Sequence, residues 1–342
     1  MIERIASVAD LDLAQWDALL GPGDFYLSRD WLRYAEGTAT APPVYLCATD
    51  SGKLVAGLPC YLLDRDAPFP FCRLDRVLGG AEVVMPSLFC GGRNPAHTRV
   101  AGGAGAEVVA AAVALGEELA RSTTFLYVDE DDEELRGLLR EHGFASFPTA
   151  TASILDVPAG GFEGYLASFR SDRRSAIRRE RRKVREAGFE LAVEPFTESL
   201  AAELVPLDQS VVRKYGDEWS PEEVEAMYEP LLRYLGPRAS VVTARLRGRL
   251  GGFLLLLRWR DELYARNVGF DYELQGRVPL YFSVVFYEPI AYAARTDVTR
   301  IDYLIASEDV KRSRGCRQVG QLGYVRCADP RVQRELARPR TS

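Results

Sequence analysis

The sequence predicts an α/β protein of two tandem domains, each with a mixed sheet. Three observations predict it. The element order hairpin, loop, helix, strand, helix occurs twice, offset by about 200 residues. The 342-residue length suits two domains of ~150 residues each. A strongly basic segment lies between two stretches of ordinary composition.

In the first half, YLSRDWLRYAEG (26–37) reads as a helix with Ser28 as its N-cap. VYLCATD (44–50), the Ser51-Gly52 turn and KLVAGLPCYLLD (53–64) read as a β-hairpin. A Pro- and Gly-rich loop runs over 65–103. GAEVVAAAVALGEELARS (105–122) is a helix, TFLYVD (124–129) a strand, and DEELRGLLREHGF (132–144) a helix ending at Gly143. ATASILDVP (150–158) reads as a closing strand. In the second half, VVTARLR (241–247), RLGGFLLLLRWR (249–260) and LYARNVGFD (263–271) read as an antiparallel meander. The loop YELQGRVP (272–279) leads into an apolar helix (280–297), a strand TRIDYLIA (299–306) and a further helix SEDVKRSRG (307–315). The predicted domains are 1–158 and 191–342, with a linker at 159–190.

Composition narrows the function classes. The net charge of −6 argues against a nucleic-acid coat protein or a membrane-surface binder, so any basic site is local. The N-terminus lacks a signal pattern and no apolar run approaches ~20 residues, which predicts a cytoplasmic protein. The six cysteines, at 47, 60, 72, 90, 316 and 327, form no CxxC pair and read as buried thiols. The two histidines, His97 and His142, sit in a loop and at a helix C-terminus, where neither suits a catalytic base. Nothing in the ligand types predicts a metal site.

The linker FRSDRRSAIRRERRKVREAGFE (169–190) holds nine Arg or Lys against two acids between Arg170 and Arg185. Ser171 and Gly188 are its expected caps. Arg170, Arg174, Arg178, Arg182 and Arg185 share one helical stripe, opposite a narrow apolar stripe of Ile177 and Val184. A solvated surface helix is one reading. The other is a polyphosphate or RNA-backbone site, because guanidiniums bind phosphate bidentately.

These segments carry a resemblance. FYLSRDWLRYAEG with KLVAGLPCYLL, the basic helix FRSDRRSAIRRERRKVREAG, LYARNVGFDYE, PLYFSVVFYEPIAYA and TRIDYLIASEDVKRSRG together resemble the Fem-type branch of the GNAT acyltransferase superfamily. That resemblance implies tandem GNAT-like domains and an N-acyltransferase that forms an amide on an amine. It implies no tightly bound cofactor, and aminoacyl-tRNA or acyl-CoA as co-substrate. The pyrophosphate loop of acetyl-CoA-dependent relatives is not found after LYARNVGFD, where only Gln275-Gly276 hints at it. That tilts the expectation towards a tRNA donor, without DNA or membrane partners. A basic helix of ~20 residues leaves no room for the long helical arm of the cell-wall ligases, which favours a small-molecule amine. Two alternatives stay open: an acyl-CoA-dependent acyltransferase, and a non-catalytic RNA- or partner-binding pair.

Amide formation requires an amine that loses its proton, a stabilised oxyanion and an aligned donor. Asp271, at the end of the third strand, is the candidate to orient or deprotonate the amine, and it would equally serve as a turn cap. Lys311 resembles the family lysine that steadies the oxyanion. Tyr264, Arg266, Tyr287 and Tyr303 are expected at the substrate cleft, and Arg170, Arg174, Arg178, Arg182 and Arg185 on the donor phosphates.

Overall fold

One strand pattern is built twice in the computed structural model. β1 (Ile2–Ile5), β2 (Pro43–Asp50), β3 (Lys53–Leu63) and β4 (Ser87–Cys90) run antiparallel in succession, with a short β5 (Ala101–Gly102) on β3. β6 (Ser122–Asp129) then lies parallel to β4. After β7 (Ala145–Asp156), the pattern repeats. β8 (Phe189–Pro195), β9 (Ala239–Leu246), β10 (Arg249–Trp259) and β11 (Glu262–Phe270) are antiparallel, and β12 (Arg300–Asp302) lies parallel to β11. Each parallel pair needs a crossover, supplied by Gly105–Leu119 in the first case and by the helical segment 280–293 in the second.

The chain forms two units, Met1–Ala152 with Val319–Ser342, and Ser153–Gln318. All residues are described except 39–40, 65–73, 75–77, 79–83, 93–96, 104, 216–218 and 337–342, so Cys72 lies outside the described residues. The closing strands are exchanged relative to chain order. Ile154–Asp156 of β7 pairs antiparallel with β12, and β13 (Arg317–Cys327) pairs antiparallel with β6. The segment expected to close the first half therefore pairs in the second unit. The stretch past Gly315, to which the sequence assigned no element, holds the strand that closes the first.

Local expectations met the structure unevenly. Ser28 caps its helix through the Trp31 N–H, and Ser51 and Gly52 make the hairpin turn with φ of 50° and 78°. Ser171 does not cap the basic helix: the helix spans Ser171–Glu186, and Arg170 holds the cap position without a side-chain bond. The predicted strand 299–306 shrinks to three residues, because Leu304, Ala306 and Ser307 adopt φ of 57°, 68° and 53°. Several left-handed residues in so short a stretch break the extended backbone that a strand needs. Two helices to which the sequence assigned nothing, Glu198–Tyr215 and Pro221–Pro230, pack on the second unit. The second carries a capping box of Ser220 and Glu223, a start signal that was legible.

The core of the second unit joins Leu254, Leu256, Leu263, Ala265 and Ile301 of the sheet to Val284, Phe286 and Ile290 of the crossover and to Ile177 and Val184 of the basic helix. On the other side, Glu198–Tyr215 crosses β11 at Gly269. A Cβ there would lie 2.5 Å from the Leu207 carbonyl carbon and 2.7 Å from the Asp208 nitrogen. Backbone cannot step aside as a side chain can. Gly269→Ala is expected to destabilise the protein by about 1–3 kcal/mol. The measurement is a lowered urea midpoint at unchanged slope, and an unchanged midpoint would refute it.

Candidate active site

The sheet of the second unit opens where β11 and β12 part. Their parallel pairing ends at Tyr264 with Asp302. Beyond it the chain stays with β7, through Ser153 N–H to the Leu304 carbonyl and Tyr303 N–H to the Ser153 carbonyl, both 2.9 Å. On its other edge β11 is bulged. Leu254 pairs with Val268 and Leu256 with Ala265, so Arg266 and Asn267 face the single residue Leu255. A bulge leaves one residue out of the ladder and re-aims its neighbours. A broken ladder and a parted strand thus meet at Arg266 and Asn267.

Asp208 sits beside that bulge. Its Oδ2 accepts from Asn267 Nδ2 at 2.9 Å and from the Tyr228 hydroxyl at 2.8 Å. Oδ1 has no partner among the described hydrogen bonds. The residue is buried, and burial raises its carboxyl above the ordinary range despite both donors. Sequence reasoning missed Asp208. The available signal was an acid four residues after the core residue Leu204, in the apolar run LVPLDQSVV.

Lys311 lies at the parted end of β12. Its Nζ donates to the carbonyls of Tyr303 at 2.6 Å, Leu304 at 3.2 Å and Ile305 at 2.6 Å. Those three bonds use all three ammonium protons. Burial lowers its pKa to about 8, with Asp302 pulling the other way. The lysine therefore holds the left-handed loop 304–307 in place, and no proton is left over for an oxyanion. Next to it the Tyr303 ring packs on Phe286 at 4.8 Å, and its buried hydroxyl has no hydrogen-bond partner. Burial pushes that phenol's pKa well up.

The basic helix borders a second feature of the same unit. Arg178, Arg181, Arg182 and Arg185 line a cavity of ≈ 480 Å³ together with Phe162, Leu166, Phe189, Leu191, Ser283 and Glu288. The spacing i, i+3, i+4, i+7 puts the four guanidiniums on one face. Arg181 lies over the Phe162 ring at 4.1 Å and donates to Glu288 Oε1 at 3.4 Å. The helix is anchored by Ile177 and Val184, both fully buried, and by Glu180, which accepts from the Tyr287 hydroxyl and from Arg314 Nη2 at 3.3 Å. Arg314 is itself buried and stacks over Phe282 at 3.7 Å.

The predicted residues separate accordingly. Of the arginine stripe, Arg178, Arg182 and Arg185 reach the cavity, and Arg181 joins them unforeseen. Arg170 and Arg174 do not line it, and Arg174 Nη1 folds back onto the Phe169 carbonyl at 2.6 Å. Tyr287 faces no cleft, because it is fully buried with its hydroxyl on Glu180. Tyr264 is also buried, donating to Glu262 at 2.8 Å. Arg266 sits half-buried in the bulge. Asp271 caps the short helix Tyr272–Gln275 through the Leu274 N–H and pairs with Arg249 at 2.5 Å. Asp271 and Lys311 do not share a cleft. Asp271 lies seven residues along β11 from Tyr264, about 20 Å at strand rise, whereas Lys311 binds the carbonyls just past Asp302, the partner of Tyr264.

In the first unit, His97 is buried with Nδ1 2.7 Å from Asp129. Burial would raise the Asp129 carboxyl, but His97, Gln321 and Arg99 outweigh it and hold it below the usual range. The contact ties the His97 loop to β6. The five described cysteines are free and buried. Among the described residues, no group of three or more His, Cys, Asp or Glu could hold a metal ion, and no helix is long and apolar enough to cross a membrane.

Comparison with known proteins adds the following. The FemAB_like family, described by peptidoglycan biosynthesis/recognition, matches residues 98–338. No curated protein matches. Among solved structures, FemX superposes with a TM-score of 0.67 at 11% identity, over 98% of this chain and all of that one. The C-terminal domain of a putative lysylphosphatidylglycerol synthetase from Agrobacterium fabrum gives 0.62 at 12%, over 96% of each chain. A tandem GNAT protein from the clavulanic acid biosynthesis pathway gives 0.56 at 13%, over 96% of this chain and 99% of that one. At such identities the likeness is one of fold: tandem GNAT-like domains, as the sequence predicted.

Proposed function

The chain belongs to the FemAB_like family and is a transferase, and on that premise we propose that it moves an acyl group from an activated ester or thioester to an amine, forming an amide. The observation that supports this reading is the meeting of a bulged, parted β11 with the buried carboxylate of Asp208. The amine nitrogen attacks the acyl carbon, and the C–O or C–S bond of the donor breaks. The amine proton passes to Asp208, and the leaving alkoxide or thiolate takes up a proton. Backbone groups freed by the bulge face the developing oxyanion. Lys311 is a positioning residue here: it fixes the loop that bounds the opening. Asp208 takes the role first expected of Asp271, whose oxygens are engaged in a cap and an ion pair.

Aminoacyl-tRNA is the preferred donor, because the arginine-lined cavity offers phosphate ligands on a chain of net charge −6. The acceptor is a metabolite or a cell-envelope precursor bearing a primary amine. Acyl-CoA is the second reading, favoured by the likeness in fold to the tandem GNAT protein. The test offers charged tRNA pools and common acyl-CoAs to candidate amines and follows the intact mass of each amine. An aminoacyl mass gain from charged tRNA alone is expected. Gain from acyl-CoA alone would replace the donor, and an RNA mobility shift without transfer from either donor would overturn catalysis.

Asp208 makes a pH prediction. A base must be ionised to act, and burial raises this carboxyl. The acid limb of kcat/KM is expected above the ordinary aspartate value of about 4, and Asp208→Asn should remove it while lowering turnover about 10²-fold or more. A variant with a native profile would exclude Asp208.

A further inference from the structure

We propose that the cavity under the basic helix binds a nucleoside phosphate whose base carries an exocyclic amine, that is, an adenosine, cytidine or guanosine phosphate rather than a uridine phosphate. The inference rests on the reading of that helix as the donor's phosphate site and goes further, from a basic surface to a shaped pocket.

Four features of the cavity select this ligand. Its volume of ≈ 480 Å³ falls within the range of small-ligand sites. Arg178, Arg182 and Arg185 supply guanidiniums suited to a phosphate, and Arg185 has no ion-pair partner among the described residues. Arg181 differs from them. Its guanidinium is held by the Phe162 ring at 4.1 Å and by Glu288 at 3.4 Å. A guanidinium held in place in this way can serve a nucleobase as a stacking partner. Leu166, Phe189 and Leu191 give the base an apolar wall.

Of the three remaining lining residues, Glu163 pairs with Arg178 at 3.9 Å, and the other two read the base. Glu288 is mostly buried and has Oε1 on Arg181, which leaves Oε2 as an acceptor at the rim of the stack. A carboxylate accepts from the exocyclic amine of adenine, cytosine or guanine, whereas uracil has no such amine and flanks its one N–H with two carbonyls that the carboxylate repels. Ser283 is only 1% exposed, lines the same cavity, and its hydroxyl has no hydrogen-bond partner. A buried hydroxyl left unsatisfied in a cavity wall is costly unless a ligand meets it. It opens the π-helical turn Ser283–Tyr287, a distortion frequent at functional sites. The pocket's floor strand, β8, is three strands from β11, about 14 Å at the usual strand spacing. The acyl group must therefore ride on a tether beyond the bound nucleoside. Two donors have that chemistry: the adenosine end of a coenzyme thioester, and the nucleotides before the charged ribose of a tRNA.

The test titrates the full-length protein with AMP, CMP, GMP, UMP and inorganic phosphate by calorimetry. AMP, CMP and GMP are expected to bind about 10-fold or more tightly than UMP or phosphate. Glu288→Gln should erase the preference against UMP, and Ser283→Ala should weaken AMP, CMP and GMP without affecting phosphate. Competition by coenzyme A against competition by a CCA trinucleotide separates the two sources. Equal weak binding of all five probes, or no binding, overturns the inference, as does a preference that survives Glu288→Gln. If acyl transfer still falls in arginine variants while nucleotides do not bind, the donor reading stands and the pocket falls. If nucleotides bind selectively and no donor is turned over, the pocket stands and the acyl-transfer reading falls.

Discussion

Lys311→Ala is expected to lower turnover by about 10²-fold or more and to cost about 1–3 kcal/mol of stability, because it removes the lysine's three bonds to the carbonyls of a strained loop. The carbonyls are those of Tyr303, Leu304 and Ile305, and the loop carries left-handed φ at Leu304, Ala306 and Ser307. An oxyanion contact would predict lost turnover at native stability. A positioning role predicts that both fall together, measured by a urea midpoint and by kcat on one preparation. The lysine's titration gives a second readout. Its folded pKa of about 8 lies below the ordinary 10.5. The unfolded chain thus holds more protons between those values, so native stability relative to Lys311→Met rises with pH from 8 to 10.5. Below pH 8 the cost of burying the charge is present in full. Loss of the proton also removes one of three loop bonds, so turnover should decline above pH about 8. A flat profile through pH 9, with native stability in Lys311→Ala, would remove the lysine from both roles.

The double variant Arg178→Glu, Arg182→Glu is expected to raise KM for a charged tRNA about 10²-fold, with native affinity that falls steeply as salt rises. The two side chains are 60% and 57% exposed, and their ion pairs with Glu163 and Glu186 are 3.9 and 3.7 Å long. Such surface pairs contribute little, so stability should stay within about 0.5 kcal/mol of native. The charge change is four units at the mouth of the cavity, where counterion release sets the affinity. A logarithmic salt slope near zero for the native protein, or an unchanged KM in the variant, would take the phosphates away from this helix.

How much of this was legible beforehand depends on the range of the forces involved. Ser28, the Ser51-Gly52 turn and the capping box at Ser220 are local devices, and their residue types name them. The arginine stripe was equally local: helical spacing alone put Arg178, Arg182 and Arg185 on one face. The buried Ile177 and Val184 confirm which face turns inward. Arg181 shares that face at i+3 from Arg178; only its contacts with Phe162 and Glu288, which are distant in sequence, were beyond the reach of local spacing. Tyr287 resembled a cleft residue until Glu180, 107 residues away, took its hydroxyl.

The sequence by itself determined the repeated element order and the basic helix, since these follow from periodicity, caps and composition, which act within a few turns of chain; the family was read from the resemblance of its motifs. The tertiary structure decided which strand closes which unit, because β7 and β13 carry similar strand patterns and only long-range pairing distinguishes their partners. It also decided the roles of the acids and of the lysine. A carboxylate's chemistry is set by what surrounds it, so Asp271 became a cap and Asp208, inside an ordinary-looking helix, became the buried acid beside the bulge.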